Sequence, residues 1–213
     1  KEDVGKLNKE QKEYMSNVNQ SIDRMARLVN DLLNVTRIES GQLKVDPQPT
    51  ELREFIEKII VEAKPLAEMK KLTIKFACDR LPVIPLDQNL IRQVVHNLLT
   101  NAIRYTPPGK SAIGITVSSS EGDKFTVAIS DQGIGIPANV QNRIFEKFFR
   151  ADNAVKAETE GTGLGLYVCR MIVESSGGKI WFESVKDQGT TFYFNLPLRG
   201  MIRKEVEKGM TIS

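Results

Sequence analysis

The sequence predicts an α+β fold: a sheet covered by helices on one face, preceded by a long bundle-forming helix. Three observations carry this. Residues 9–39 keep an apolar heptad rhythm. Residues 43–198 mix helical and alternating segments, with two helices followed by hairpins. Of 213 residues, 40% are hydrophobic and 27% charged, the balance of an ordinary globular chain with a core of useful size.

The first helix is the most regular element. Met15, Val18, Ile22, Met25, Val29 and Leu32 are spaced 3, 4, 3, 4, 3, an a/d seam suited to helix pairing. Leu28, Leu33 and Val35 widen the apolar face, which favours a multi-helix bundle with a partner chain or a further helix over packing on the chain's own globular part. Charged Asp23, Arg24, Arg27 and Asp31 fall elsewhere on the wheel. Gly41, in RIESGQ, can stop the helix, so a domain boundary is placed near residue 42. Residues 1–42 then form the helical unit, 43–198 the mixed domain and 199–213 a charged, mobile tail.

Within the mixed domain, LKVDPQPTE reads as a short strand and a Pro-rich connection. ELREFIEKIIVEAKPLAEMKK reads as a helix with Phe55, Ile59, Ile60 and Val61 apolar, and LTIKFAC (72–78) alternates like a strand. Residues 87–105 read as a helix burying Ile91, Val94, Val95, Leu98, Leu99 and Ala102. AIGITVSSSEGDKFTVAIS reads as a hairpin, 164–176 as a helix, and GKIWFESV and TTFYFNL as a closing pair of strands around KDQGT.

Composition excludes several classes. The net charge, 30 − 27 = +3, is too mild for a nucleic-acid surface. Cys78 and Cys169 form no CxxC, and the single His96 cannot complete a common zinc set, so both read as free thiols in a reducing compartment. No run approaches the ~18 apolar residues of a membrane span, and no signal peptide is visible. The chain begins without Met, which reads as a fragment of a longer protein.

Four stretches could carry chemistry. In HNLLTNAIRY, Asn97, Asn101, Arg104 and Tyr105 sit at i, i+4, i+7 and i+8 on one helical face. The carboxamides offer hard oxygen ligands of the kind Mg²⁺ accepts, and Arg104 offers a planar fork for phosphate. His96 lies about 100° around the helix from Asn97 and need not point where the asparagines point. Each stretch alone also reads blandly, this one as a polar helix face. In DQGIGIP, Asp131 ends a strand beside Gly133 and Gly135; the carboxylate can accept a hydrogen bond from an amino group, and the glycines permit a sharp turn. IFEKFFRADNAVKAETE passes from the aromatic anchor Phe145, Phe148, Phe149 to a polar stretch, the look of a lid over a ligand. EGTGLGL sets Gly161, Gly163 and Gly165 before a helix whose N-terminal N–H groups can bind phosphate.

Taken together and in this order, these stretches resemble the catalytic ATP-binding domain of sensor histidine kinases. HNLLTNAIRYTP resembles the N box, DQGIGIP the G1 box, IFEKFFRAD the F box and GTGLGL the G2 box, while MARLVNDLLNVTRIESGQL looks like the second helix of the dimerisation domain. The resemblance covers roughly residues 8–198. It implies a two-layer α/β sandwich of the Bergerat ATPase type, with ATP and Mg²⁺ as ligands. By resemblance, Asn97 and Asn101 face the phosphates, Asn101 being the foremost Mg²⁺ ligand with Asn97 beside it. Arg104 and Tyr105 stand by phosphate and adenine, Asp131 reads the adenine amino group, and Arg150 is a lid arginine that can approach the γ-phosphate. Asn101, Arg104 and Arg150 are thereby the catalytic candidates. Gly133, Gly135, Ile136, Phe145, Gly161, Thr162, Gly163, Leu164, Gly165 and Leu166 are the further box positions expected to shape the nucleotide site.

The implied activity is transfer of the ATP γ-phosphoryl to a histidine and thence to an aspartate on a response-regulator receiver domain. The implied setting is a homodimer in the intact kinase, in the cytoplasm as part of a membrane-bound sensor, with no nucleic acid and no direct membrane contact by this segment. One departure matters. The family phosphorylates a histidine in a motif like HExRTP, which this sequence lacks, and His96 sits inside the N box where it cannot stand in. The expectation is a chain that binds Mg-ATP without phosphorylating itself. The alternatives are a pseudokinase that acts as a dimerisation scaffold and another ATPase of the same fold.

Overall fold

A computed structural model describes residues 7–40, 44–109, 112–120, 123–158 and 161–203. The element order is α1 (Lys9–Glu39), β1 (Gln48–Thr50), α2 (Leu52–Met69), β2 (Thr73–Cys78), β3 (Ile84–Leu86), α3 (Gln88–Tyr105), β4 (Ala112–Ser120), β5 (Lys124–Ser130), a 3₁₀ turn (Ala138–Arg143), α4 (Asp152–Ala157), α5 (Gly165–Ser175), β6 (Lys179–Val185) and β7 (Gly189–Pro197).

Five strands form one sheet in the order β2-β4-β5-β7-β6, and β1 pairs with β3 in a small second sheet. The expected hairpins are present, β4 with β5 and β6 with β7, both antiparallel. The sheet is not wholly antiparallel, because β2 runs parallel to β4. The intervening α3 makes the crossover that a parallel pair needs. Alternation along β5 buries Phe125, Val127 and Ile129. Register aligns Val127 and Ile129 with Val117 and Ile115 on β4, and all three with Leu196, Phe194 and Phe192 on β7. That face meets α2, α3 and α5, giving one layer of helices on one layer of sheet. The opposite face carries Thr126, Ala128, Tyr193 and Trp181, with the Trp181 and Tyr193 rings stacked at 5.3 Å.

Helix starts are fixed by carboxylates. Glu51 accepts from the backbone N–H groups of Arg53 and Glu54 to begin α2. Asp87 does the same for α3 with Asn89 and Leu90, and its other oxygen accepts from the Asp46 N–H at 2.9 Å. The C-terminus of α3 is held by Lys70, whose ammonium donates to the carbonyls of Arg104 and Thr106. A cation on a helix C-terminus complements the dipole.

Two expectations change. Residues 199–203, assigned to a mobile tail on their charge, pack: Met201 is buried, its N–H donates to the Pro85 carbonyl at 2.8 Å, and Arg203 pairs with Asp46. One apolar side chain in a charged segment was enough to seat it; residues 204–213 lie outside the described residues. The stretch read as an anchor and lid also contains regular structure, the short helix α4.

Helix α1 is the exception to the packing. Its seam residues Met15, Val18, Ile22, Met25, Val29 and Leu32 are all exposed. Among the described residues of α1, the packing against the rest of the chain lies at its C-terminal end. Val35 is buried, and Glu39 accepts from the Tyr167 hydroxyl at 2.6 Å and pairs with Lys147. Among the described residues, no helix is long and apolar enough to cross a membrane.

Candidate active site

A cavity of about 630 Å³ opens between α3, the turn after β5, the segment bearing α4 and the start of α5. That volume suits a ligand of small-molecule size. Helix α3 supplies one wall. Burial of Ile91, Val94, Val95, Leu98, Leu99, Ala102 and Ile103 fixes its rotation. Asn97, Asn101, Arg104 and Tyr105 are thereby turned to the cavity.

Asp131 marks the far end. It follows β5, and its Oδ1 accepts from the Gly133 N–H at 2.8 Å and from the Thr190 N–H at 3.2 Å. Both bonds go to one oxygen, so Oδ2 remains able to accept a further hydrogen bond. Burial pushes the Asp131 pKa up to about 6, against those two backbone bonds. The turn itself is tied down on both sides. The Ile134 N–H donates to the Tyr105 carbonyl at 3.2 Å, and the Ile136 N–H donates to Ser184 Oγ at 2.8 Å. Ser184 also shares a hydrogen bond with Thr190 Oγ1.

The glycine segment closes against α3. A Cβ at Gly165 would stand 2.5 Å from Asn97 Nδ2, so only glycine lets that asparagine lie against the start of α5. Gly163, at φ +71°, passes within contact of the Phe148 backbone, where a Cβ would meet its carbonyl carbon at 2.6 Å. Helix α5 has no side-chain cap. Its first N–H groups, which like those of any helix have no intrahelical acceptors, thus have no side-chain cap at the cavity edge, where they favour an anion.

Of the candidates from sequence, Asn97, Asn101, Arg104, Tyr105, Asp131, Gly135, Ile136, Arg150, Gly161, Thr162, Gly163, Gly165 and Leu166 line the cavity. Gly133, Phe145 and Leu164 stand behind its wall. Gly133 holds Asp131, and Leu164 is buried in front of α5. Phe145 packs on Phe182 and Phe192, at 6.0 and 6.5 Å between ring centroids. Arg150 is turned to the lid: its guanidinium donates to the carbonyls of Ala154, Glu158 and Gly161, holding the C-terminal end of α4. His96 is exposed on the cavity rim, where partial desolvation lowers its pKa against the pull of Glu62 and together with Arg104 and Arg92.

Sequence reasoning missed Thr190, Asn153 and Arg92, which also line the cavity, and Ser184 behind it. Thr190, 59 residues along the chain from Asp131, and Ser184, paired with it across β6 and β7, reach the site through strand pairing, so no local spacing marks them. Arg92 lies five residues before Asn97, and one of its guanidinium nitrogens donates to both Glu62 oxygens at 2.7 and 2.8 Å; extending the NxxxN stripe backwards reaches Gln93, another lining residue, and not Arg92.

The donor set fits a nucleotide: a carboxylate oxygen for an amino group, amide side chains, a guanidinium and an uncapped helix start in one cavity. The carboxamide oxygens of Asn97 and Asn101 in the same wall are hard ligands of the kind Mg²⁺ takes beside phosphate and water.

Comparison with known proteins gives the family. Residues 86–200 match the histidine kinase-, DNA gyrase B- and HSP90-like ATPase family, and residues 1–41 match the His kinase A (phospho-acceptor) domain. The adaptive-response sensory kinase SasA of Rippkaea orientalis is 39% identical over 175 residues, 82% of this chain and 44% of that protein. The sensor histidine kinase WalK of Bacillus subtilis is 33% identical over 177 residues, 83% of this chain and 29% of that protein. The chain thus spans less than half the length of these relatives. Among solved structures, full-length ShkA in complex with AMPPNP superposes with a TM-score of 0.77 at 26% identity, covering 94% of this chain and 41% of that one. The catalytic domain of histidine kinase ThkA superposes at 0.63 with 32% identity, covering 72% of this chain and 96% of that one. The chain belongs to the histidine kinase-, DNA gyrase B- and HSP90-like ATPase family, and within it to the sensor histidine kinases, with their Bergerat-type catalytic fold.

Proposed function

We propose that this chain binds Mg-ATP in the cavity beside α3 and presents its γ-phosphoryl group to a histidine of the kinase, from which it passes to an aspartate on a response-regulator receiver domain. The observation that carries the reading is the convergence of Asn97, Asn101 and Arg104 with Asp131 and the uncapped start of α5 around one cavity. Asp131 reads the adenine amino group with Tyr105 beside it. Arg104 and the α5 N–H groups hold phosphate oxygens. Asn101 is the foremost Mg²⁺ ligand with Asn97 beside it, and the bound ion neutralises charge on the phosphates. Arg150 leaves its lid carbonyls for the γ-phosphate. The transfer itself breaks the bond from the γ-phosphorus to its bridging oxygen and forms one to an imidazole nitrogen; ADP leaves and the imidazole loses a proton. Positioning and charge neutralisation are what such a reaction asks of a protein.

His96 is not the acceptor in this reading. It shares the cavity rim with Asn97 and Asn101, on the same rigid helix as the groups that bind phosphate. Residues 1–41, matched by the phospho-acceptor domain, contain no histidine. The bare seam of α1 supports homodimerisation of the intact kinase through a helix bundle. In this reading the boundary near residue 42, which lies outside the described residues, separates that unit from the catalytic one. We assign the segment to the cytoplasmic side of a membrane-bound sensor.

Calorimetric titration with ATP, with and without Mg²⁺, tests the core of this. Saturable Mg-dependent binding is expected, and Asn101→Ala should weaken it about tenfold or more while leaving the fold intact. Unchanged affinity in that variant would remove Asn101 as the metal ligand. Acid-labile phosphate on this chain alone would contradict the assignment of His96.

A further inference from the structure

We propose that the side-chain oxygen of Asn153 is a specificity contact of the site, accepting a hydrogen bond from a donor on the nucleoside half of the bound nucleotide. Asn153 stands on α4 and lines the cavity. Its Nδ2 donates to the Gly135 carbonyl at 2.9 Å, which settles the orientation of the amide. Its Oδ1 is buried and has no hydrogen-bond partner, the one such side-chain atom among the described residues. Buried amide oxygens are almost always satisfied, because burial without a donor forfeits the bond to water. An orphan acceptor in the wall of a ligand cavity is therefore a place for a ligand's donor.

The chemistry selects which part of the nucleotide supplies it. Phosphate oxygens near neutral pH are acceptors, so Asn153 Oδ1 repels them. The donors of an adenine nucleotide are the 6-amino group and the ribose hydroxyls. Position agrees, since Gly135 belongs to the same turn as Asp131, the residue at the base end of the cavity. Asp131 uses one proton of the amino group, which leaves the second proton or a ribose hydroxyl for Asn153. A small settling of the short α4 onto the ligand makes the contact. The inference rests on the nucleotide reading above.

The test is calorimetry on the wild-type chain and Asn153→Leu with ATP, 2′-deoxy-ATP, 3′-deoxy-ATP and purine riboside triphosphate, which lacks the 6-amino group. Asn153→Leu should weaken ATP binding about tenfold, and that loss should vanish with the one analogue missing the contacting donor, naming it as base or ribose. Equal loss with all four nucleotides overturns the proposal, because Asn153 then acts only by holding α4 to Gly135. No loss with any of them overturns it too. A wild-type chain that binds none of the four defeats the nucleotide reading itself, a result distinct from either. Should Asn153→Leu fail to fold, Asn153→Ala carries the same comparison.

Discussion

Helices α1 and α3 are both amphipathic, yet they meet opposite fates. Every seam residue of α1 from Met15 to Leu32 is exposed, whereas α3 buries seven side chains between Ile91 and Ile103. An apolar stripe records that something covers it, not what. For α3 the cover is the chain's own sheet and neighbouring helices, so its opposite stripe is locked toward a cavity. For α1 the cover is not within the described residues. A catalytic wall needs the first arrangement, because groups that meet a phosphate must be held in place before it arrives. An assembly helix needs the second.

The contrast predicts its own largest effect. Leu98→Ala, at 0% exposure, should lower unfolding stability by about 2–5 kcal/mol through the cavity it leaves. Ile22→Ala, at 52% exposure, should cost no more than about 0.5 kcal/mol in dilute solution. Denaturant titration of both variants reads the difference; comparable losses would mean that the α1 seam is covered after all.

A smaller effect sits where the α3 stripe ends at Asp131. Its carboxyl is raised by burial from the ordinary 3.8 to about 6, so its ionisation opposes folding above pH 6, and the penalty is relieved as pH falls through 6 toward 4. Asp131→Asn should raise stability at pH 7.5 by about 1–3 kcal/mol and lose that gain near pH 4. The same variant should weaken ATP binding about tenfold or more at pH 7.5, a site that costs stability for function. Wild-type affinity should also fall as pH drops below about 6, more steeply than in the variant. A variant no more stable than wild type would deny that the carboxylate is strained by its burial.

The smallest effect concerns the join between the two regions. Glu39 meets Tyr167 and Lys147, and its carboxyl is held below the ordinary value by the Lys147 hydrogen bond first and the Tyr167 hydroxyl second. The contact is open to solvent, so Glu39→Ala should leave the melting temperature nearly unchanged. It should broaden the distance distribution between spin labels on α1 and on β5. An unaltered distribution would place the coupling of the two regions in Val35 alone.

Much of the molecule was legible in advance. The heptads of α1, the buried stripe of α3, both hairpins and the four motifs follow from periodicity and from residue chemistry repeated at short range. The parallel pairing of β2 with β4 was not legible, since alternation marks a strand without naming its neighbour. The lid helix α4 hid in a polar stretch without an apolar stripe, and Met201 hid in a charged one.

By itself the sequence determined which side chains share a helical face, where glycine was required, and which chemical groups were on offer. Tertiary structure alone decided that Thr190 would hold Asp131 and that Asn153 would bury an unpaired oxygen. The physical reason is range. Helical and strand periodicity act over a few residues, while these contacts arise only when strands and helices far apart in the chain bury a common core and carry their polar edges together.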